Sequence, residues 1–300
     1  MISVKNATKR FGKFEAVRGI SCDVCDGRIY GLVGVNGAGK STLLRLMSGI
    51  YRCDGGDVTI DGSSVFDNPY AKQKIAFVPD ELYLPSNCTL AAMADKYSLL
   101  YHRFNYRKFT KLISAFELRL NKQLGTFSKG MKRQAVTALS LCTEPKYIFF
   151  DETFDGLDPF KRNYVKKIIS EDVKERGATA IITSHSLREL EDTCDQLALL
   201  HRGGLVFESD TEKLKTSRFK IQIAFSHEYG EEKFSDLDVI SFKKQGAVAS
   251  LIIGEERETA LPKLRGMSPL LLEELPMTLE EIFTYELQSR GLVGIGGEVI

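Results

Sequence analysis

The 300-residue chain has no apolar run long enough to cross a bilayer. A spanning helix needs about 20 mostly apolar residues, and stretches such as 197–200 are far shorter. Charge of one sign is also missing: 41 lysines and arginines stand against 40 aspartates and glutamates, leaving +1. That balance argues against a general polyanion binder, which needs a clear basic excess, so no nucleic-acid partner is expected. It also gives no polybasic attraction to anionic lipid. The first residues carry Lys5, Lys9 and Arg10 without an apolar core, so they do not read as a secretion signal. Cys22 and Cys25 form a CxxC with no second pair, which excludes the usual four-cysteine zinc site. Three apart on a strand, they would face opposite sides as small packing residues. The six scattered cysteines read as reduced thiols of a cytosolic protein. Internal repeats and low-complexity linkers are absent as well. Hydrophobic content of 43% and charged content of 27% exclude a wholly disordered chain. The length suggests about two domains, at roughly 150 residues each.

Residues 1–211 alternate buried-strand runs with helical patterns, the mark of an α/β fold with a largely parallel sheet. Strands are expected at 29–33, 147–150 and 179–183, and a helix at 40–48. Asp158-Pro159 opens another helix, with proline at its first position. There Phe160, Tyr164, Val165, Ile168, Ile169 and Val173 keep helical spacing until Gly177. Ser186-x-x-Glu189 has the form of a capping box. The segments 196–200 and 205–208 form a hairpin around Gly203-Gly204. Between about 83 and 143 strand alternation stops, as expected for a helical subdomain inserted in the sheet. Residues 212–300 read as a small α/β accessory domain. Strands are expected there at 219–225, 239–242, 247–253 and 270–272, and a helix capped by Thr278-x-x-Glu281. This part holds 11 basic and 15 acidic residues, net −4, against +5 for the rest. The glycine-rich end is expected to be mobile.

The sharpest motif is Gly34-Val35-Asn36-Gly37-Ala38-Gly39-Lys40-Ser41-Thr42, which fits G-x4-G-K-[ST]. Glycines let successive backbone N–H groups turn inward around a triphosphate with no Cβ in the way. The following helix adds the positive end of its dipole. Lys40 offers a full charge to the β- and γ-phosphates, and Ser41 a hydroxyl to Mg²⁺. The bare pattern arises by chance in roughly 1% of chains this long; the strand before it and the helix after it make the match specific. A dinucleotide fold would need a third glycine, and Lys40, Ser41 and Thr42 follow Gly39 instead.

Tyr147-Ile-Phe-Phe-Asp151-Glu152 is an apolar strand ending in two carboxylates. The strand delivers Asp151 rigidly to Mg²⁺. Glu152 points the other way, toward the attacking water, which it can orient and deprotonate.

These motifs together resemble the ATPase subunits of ATP-binding-cassette transporters. Phe127-Ser128-Lys129-Gly130-Met131-Lys-Arg-Gln134 is similar to the family signature, 23 residues before Asp151. Thr153-Phe-Asp-Gly-Leu157-Asp158 resembles the D-loop. Ser184-His185, 33 residues past Glu152, resembles the switch-histidine site. Phe11 resembles the aromatic that stacks on adenine. The resemblance covers about residues 1–210. It implies a P-loop NTPase fold of the ABC type, with ATP and Mg²⁺ as cofactors. Glu152, His185 and Lys40 would be catalytic, and Ser41, Asp80 and Asp151 would lie at the metal. Ser128, Gly130 and Asp158 would complete the site of a second cassette, homo- or heteromeric, with ATP sandwiched between the two. As a helix opener, Ser128 would otherwise be a simple N-cap.

Three positions depart from the family pattern. Asp80 stands where glutamine is usual, Lys129 replaces the first signature glycine, and Thr153 replaces a proline. These changes, and the closing Leu279-Glu-Glu-Ile-Phe283, resemble bacterial exporter-type ATPases. The implied function is the ATP-hydrolysing subunit of an exporter, cytoplasmic and peripheral on the inner face of the cell membrane. Its pore would be a separate membrane-spanning permease, received on the insert at about 83–125. The alternative is a soluble, non-transport cassette ATPase acting on ribosomes or DNA. One cassette per chain and only 111 residues from Lys40 to Asp151 leave no room for the second cassette or long coiled coil of such proteins.

Overall fold

The computed structural model describes residues 1–154 and 157–289. Asp155 and Gly156 of the D-loop segment and the glycine-rich end lie outside the described residues. The chain divides into two compact units, Met1–Glu208 and a second beginning at Ser209.

The first unit opens with β1 (Ile2–Phe11) and β2 (Phe14–Val24), then β3 (Ile29–Val33), α1 (Lys40–Met47), β4 (Gly55–Ile60), β5 (Ser63–Ser64), α2 (Pro69–Lys72) and β6 (Ile75–Val78). Three helices follow: α3 (Leu90–Leu100), α4 (Tyr106–Ala115) and α5 (Lys129–Cys142). Then come β7 (Tyr147–Phe150), α6 (Pro159–Arg176), β8 (Thr179–Ser184), α7 (Leu187–Leu190), β9 (Gln196–His201) and β10 (Gly204–Asp210), whose last two residues begin the second unit.

Two sheets result, where the sequence reading expected one. A six-stranded sheet has the order β10-β9-β3-β8-β7-β6, with parallel pairing from β9 through β6. Its central strands are buried on both faces, as parallel strands covered by helices must be. The amino-terminal strands instead make a separate antiparallel sheet, β2-β1-β4-β5. Its alternating residues Ile2, Val4, Val17, Ile20, Val58 and Ile60 share a core with Leu43, Leu44 and Met47 of α1 and with Tyr147 and Phe149 of β7. The phosphate-loop helix thus lies between the two sheets.

The insert is helical, and each helix starts at a side-chain cap: Thr89, Asn105 and Ser128 accept from backbone N–H groups three residues on. Asp172 of α6, buried, binds Lys108 of α4 and accepts from Arg176 Nε at 2.9 Å. Phe116 meets Tyr164 edge-on at 5.6 Å. These contacts tie the insert to α6.

Several local expectations need correction. Phe160 on α6 is 82% exposed, so the buried stripe begins at Val165. Ser186 makes no side-chain cap; Glu189 accepts from Ser184 Oγ at 2.6 Å and pairs with Arg162 at 3.0 Å. Two stronger partners outcompete a lone backbone N–H for that carboxylate. Cys25 lies past the end of β2 and is exposed, while Cys22 is buried. Burial pushes the Cys22 thiol up to about 12. Helix α5 is buried at every residue from Arg133 to Cys142.

The second unit contains α8 (Thr211–Ser217), β11 (Phe219–Ala224), β12 (Val239–Gln245), β13 (Val248–Ile253), α9 (Arg257–Gly266), β14 (Leu271–Leu275) and α10 (Leu279–Ser289). Its antiparallel sheet, β12-β13-β11-β14, buries Phe219, Ile221 and Ile223 against Ala260 and Leu264 of α9. The box at Thr278 forms: Glu281 N donates to Thr278 Oγ1 at 3.2 Å, and Thr278 N to Glu281 Oε2 at 3.0 Å.

Candidate active site

The phosphate loop, Asp80, Asp151, Glu152 and His185 lie at the carboxyl ends of the parallel strands, where open α/β sheets bind ligands. The loop follows β3, Asp80 follows β6, Asp151 and Glu152 follow β7, and His185 follows β8. They bound a cleft of about 350 Å³ lined by Asn36, Gly37, Gly39, Lys40, Ser41, Thr42, Asp80, Glu152 and His185, with Phe14 and Ala16 at one side.

Gly37 and Gly39 have φ of 82° and 102°, a left-handed region closed to most side chains. A Cβ on Gly39 would lie 2.4 Å from the Ala16 carbonyl oxygen. The β9–β10 turn braces the loop from behind, with Gly203 N donating to Ala38 O at 3.0 Å.

Lys40 is buried, and its Nζ donates to the Gly34 and Val35 carbonyls at 2.6 and 3.3 Å. The same nitrogen pairs with Glu152 Oε1 at 3.1 Å, and Glu152 Oε2 lies 3.1 Å from His185 Nδ1. One carboxylate therefore bridges the loop lysine and the histidine. Any phosphate on Lys40 must compete with it.

Ser41 Oγ donates to Asp151 Oδ1 at 2.8 Å. Asp151 is fully buried, yet its Oδ2 has no hydrogen-bond partner; Arg45 Nη2 stands 3.8 Å away. A buried carboxylate oxygen left unpaired beside a serine hydroxyl fits a hard cation. Among the described residues no cluster of three acidic, histidine or cysteine groups could hold a metal alone.

Asp80 lines the cleft but is not a free carboxylate. Its Oδ1 accepts from Arg133 Nη2 at 2.9 Å, as does its backbone oxygen. The carboxylate expected at the metal thus has its charge offset by a buried guanidinium.

Four expected site residues stand apart from the cleft. Ser128 is exposed and caps α5, accepting from Met131 N at 3.2 Å. Gly130 follows in the first turn. Asp158 caps α6, accepting from Lys161 N at 3.0 Å. Phe11 packs edge-on against Tyr51 with centroids 5.6 Å apart, while Phe14, across the β1–β2 turn, reaches the cleft.

Two residues were missed in the sequence. Thr183 is paired with Asp151 by strand register, since Phe150 of β7 lies opposite Ile182 of β8. Its Oγ1 donates to Asp151 Oδ1 and accepts from Glu152 N, each at 2.9 Å. Register between strands was the missing signal. Arg133 is fully buried and reaches both Asp80 and the backbone oxygen of Glu152. Arg133 stands between Lys132 and Gln134, so the sequence does not set it apart from surface charge, and its target is set by the fold.

The chain is similar to several known proteins. The family profile described as "ABC transporter" matches residues 17–155. The ABC transporter ATP-binding protein YtrB of Bacillus subtilis is 30% identical over 287 residues, covering 94% of this chain and 97% of that protein. The Nod factor export ATP-binding protein I of Rhizobium sp. (strain N33) is 28% identical over 298 residues, covering 94% and 95%. Among solved structures, the dimeric bacterial ABC transporter cassette MJ0796 is similar in fold with a TM-score of 0.64 at 21% identity, covering 70% of this chain and 99% of that one. With its phosphate loop, paired strand-end carboxylates and helical insert, the chain belongs to the ATP-binding-cassette transporter family, as one of its ATP-binding, ATP-hydrolysing proteins.

Proposed function

We propose that this chain is the ATPase subunit of an exporter, working from the cytoplasmic face of a membrane through a separate permease. The observation that carries the reading is the convergence of Lys40, Ser41, Asp151, Glu152 and His185 at one set of strand ends. The Nod factor export relative, aligned along nearly the whole chain, supports the direction of transport. The described residues include no helix long and apolar enough to cross a membrane, so a pore would come from another chain. Tyr70, Tyr83, Leu99 and Leu100, exposed on and around the insert, suit the docking of an apolar partner there. We assign the unit from Ser209 onward as an accessory domain.

In this reading the loop N–H groups and Lys40 bind the phosphates. Ser41 and Asp151 would hold Mg²⁺, which would offset charge on the phosphate oxygens. Glu152 gives up Lys40 to the incoming phosphate, turns to the attacking water and accepts its proton. His185 releases Glu152 and hydrogen-bonds the γ-phosphate. Asp80, paired with Arg133, would stand beside the metal, touching it directly or through a water. Ser128, Gly130 and Asp158 serve a second chain. The exposed α5 tip and the dimeric state of the MJ0796 cassette support that assignment.

Purified chain is expected to release phosphate from ATP only with Mg²⁺, and to co-purify from membranes with a polytopic protein. Sedimentation with ribosomes and not membranes would refute the transport reading. The adenine platform separates into two testable residues. Phe11→Ala, following the family position, is expected to weaken ATP binding about 10-fold, and Phe14→Ala less than about 3-fold, on the scale of one base–aromatic stack. Isothermal titration with ATP and with inorganic triphosphate, which lacks the base, checks this; a larger loss for Phe14→Ala moves the platform to β2.

A further inference from the structure

Among the described residues, Glu152 is one of eight non-glycine residues with positive φ, at 45°, in a region that side chains enter only when neighbours hold them there. Two neighbours do so. On one side its N–H donates to Thr183 Oγ1 at 2.9 Å, from β8. On the other its carbonyl accepts from Arg133 Nη1. Arg133 belongs to α5, whose exposed tip carries Ser128 and Gly130. The guanidinium is fully buried, and its other arm, Nη2, holds the backbone oxygen and carboxylate of Asp80 at 2.9 Å. A single side chain thus joins three pieces: the helix whose tip is offered to a partner, the loop after β6, and the peptide that aims the general base.

Resting on the ATPase reading above, we propose that Arg133 is a positioning residue that couples the two nucleotide sites of a cassette dimer. When a partner's ATP engages Ser128 and Gly130, α5 moves as a rigid rod. Arg133, on the second turn of the same helix, carries that movement to the Glu152 carbonyl. The partner's nucleotide therefore sets the aim of this chain's own general base. Rigid helices and bidentate guanidinium contacts transmit such shifts because they cannot stretch. Thr183, fixed in the central sheet, is the pivot against which the Glu152 peptide turns.

The test uses the full chain with Arg133→Met, which keeps length without hydrogen bonds, and Arg133→Lys, which keeps charge but bridges fewer acceptors. Phosphate release is followed against ATP concentration, and ATP affinity is measured separately by equilibrium titration. For Arg133→Met, kcat is expected to fall about 100-fold, the scale on which a mispositioned catalytic group loses rate. ATP affinity should stay within about 3-fold, because binding groups untouched by Arg133 hold the phosphates. The Hill coefficient should fall from above 1 to about 1, since the link between sites is cut. Arg133→Lys should give an intermediate kcat, and it alone decides the matter if Arg133→Met does not fold. A kcat within about 2-fold of wild type in the folded variants overturns the proposal. So does a fall in kcat with the Hill coefficient unchanged, a parallel loss of affinity, or a wild-type coefficient of 1. Wild-type protein without any turnover would refute the ATPase reading itself, and this inference with it.

Discussion

Glu152→Gln is expected to bind ATP at least as tightly as wild type and to turn it over about 10²–10³-fold more slowly, the usual contribution of a general base. Glutamine has the same shape, so its oxygen can still meet Lys40 Nζ, which lies 3.1 Å from Glu152 Oε1. It cannot take a proton from water. It also removes the negative charge that competes with phosphate for Lys40. Binding and chemistry should therefore separate in one substitution. Equilibrium titration with ATP and steady-state phosphate release together read both quantities. A turnover rate within about 2-fold of wild type would remove Glu152 from the chemistry.

Gly39→Ala is expected to abolish nucleotide binding, with a loss of more than about 100-fold, whereas Gly37→Ala should cost no more than about 10-fold. Both glycines have left-handed backbones, and an L-residue there costs about 1 kcal/mol or somewhat more. What separates them is space. Nothing lies within 4 Å of a Cβ built on Gly37, while one on Gly39 would stand 2.4 Å from the Ala16 oxygen. That oxygen is strand backbone, and the neighbouring Arg18 N is held by Gly203 O at 2.7 Å, so it cannot easily retreat. The loop itself must move, and its N–H groups lose their convergence. Titration with a fluorescent ATP analogue, alongside thermal melts that report folding, distinguishes the two. Equal losses would show that flexibility and not the cradle's shape controls binding.

The features legible in the sequence were those whose chemistry is local. The phosphate loop needs glycines, a lysine and a helix start within nine residues, and all are contiguous from Gly34 to Thr42. The β7 run needs only apolar residues and two terminal carboxylates. Relations between distant segments were harder to see. Thr183 meets Asp151 only because β7 and β8 are neighbours in a particular register. Arg133 finds Asp80 and Glu152 only after the insert folds onto the sheet. The antiparallel sheet at the amino terminus was folded into one expected sheet because strand runs do not announce their partners. At Glu189 a correct local pattern lost to Ser184 and Arg162, which arrive from outside it. At Asp80 the slot is visible in the sequence, but the arginine that offsets its charge comes from the distant α5.

The central claim is that one chain's phosphate loop and another's α5 tip hold the same nucleotide. Sedimentation equilibrium of Glu152→Gln, with and without Ser128→Arg, tests it most directly, because slow hydrolysis preserves the ATP-bound assembly. With ATP and Mg²⁺, Glu152→Gln alone should sediment at twice the mass of one chain. The double variant should bind ATP equally well and remain at the mass of one. ATP-saturated single chains of Glu152→Gln, or dimers that form equally well with Ser128→Arg, would contradict the account.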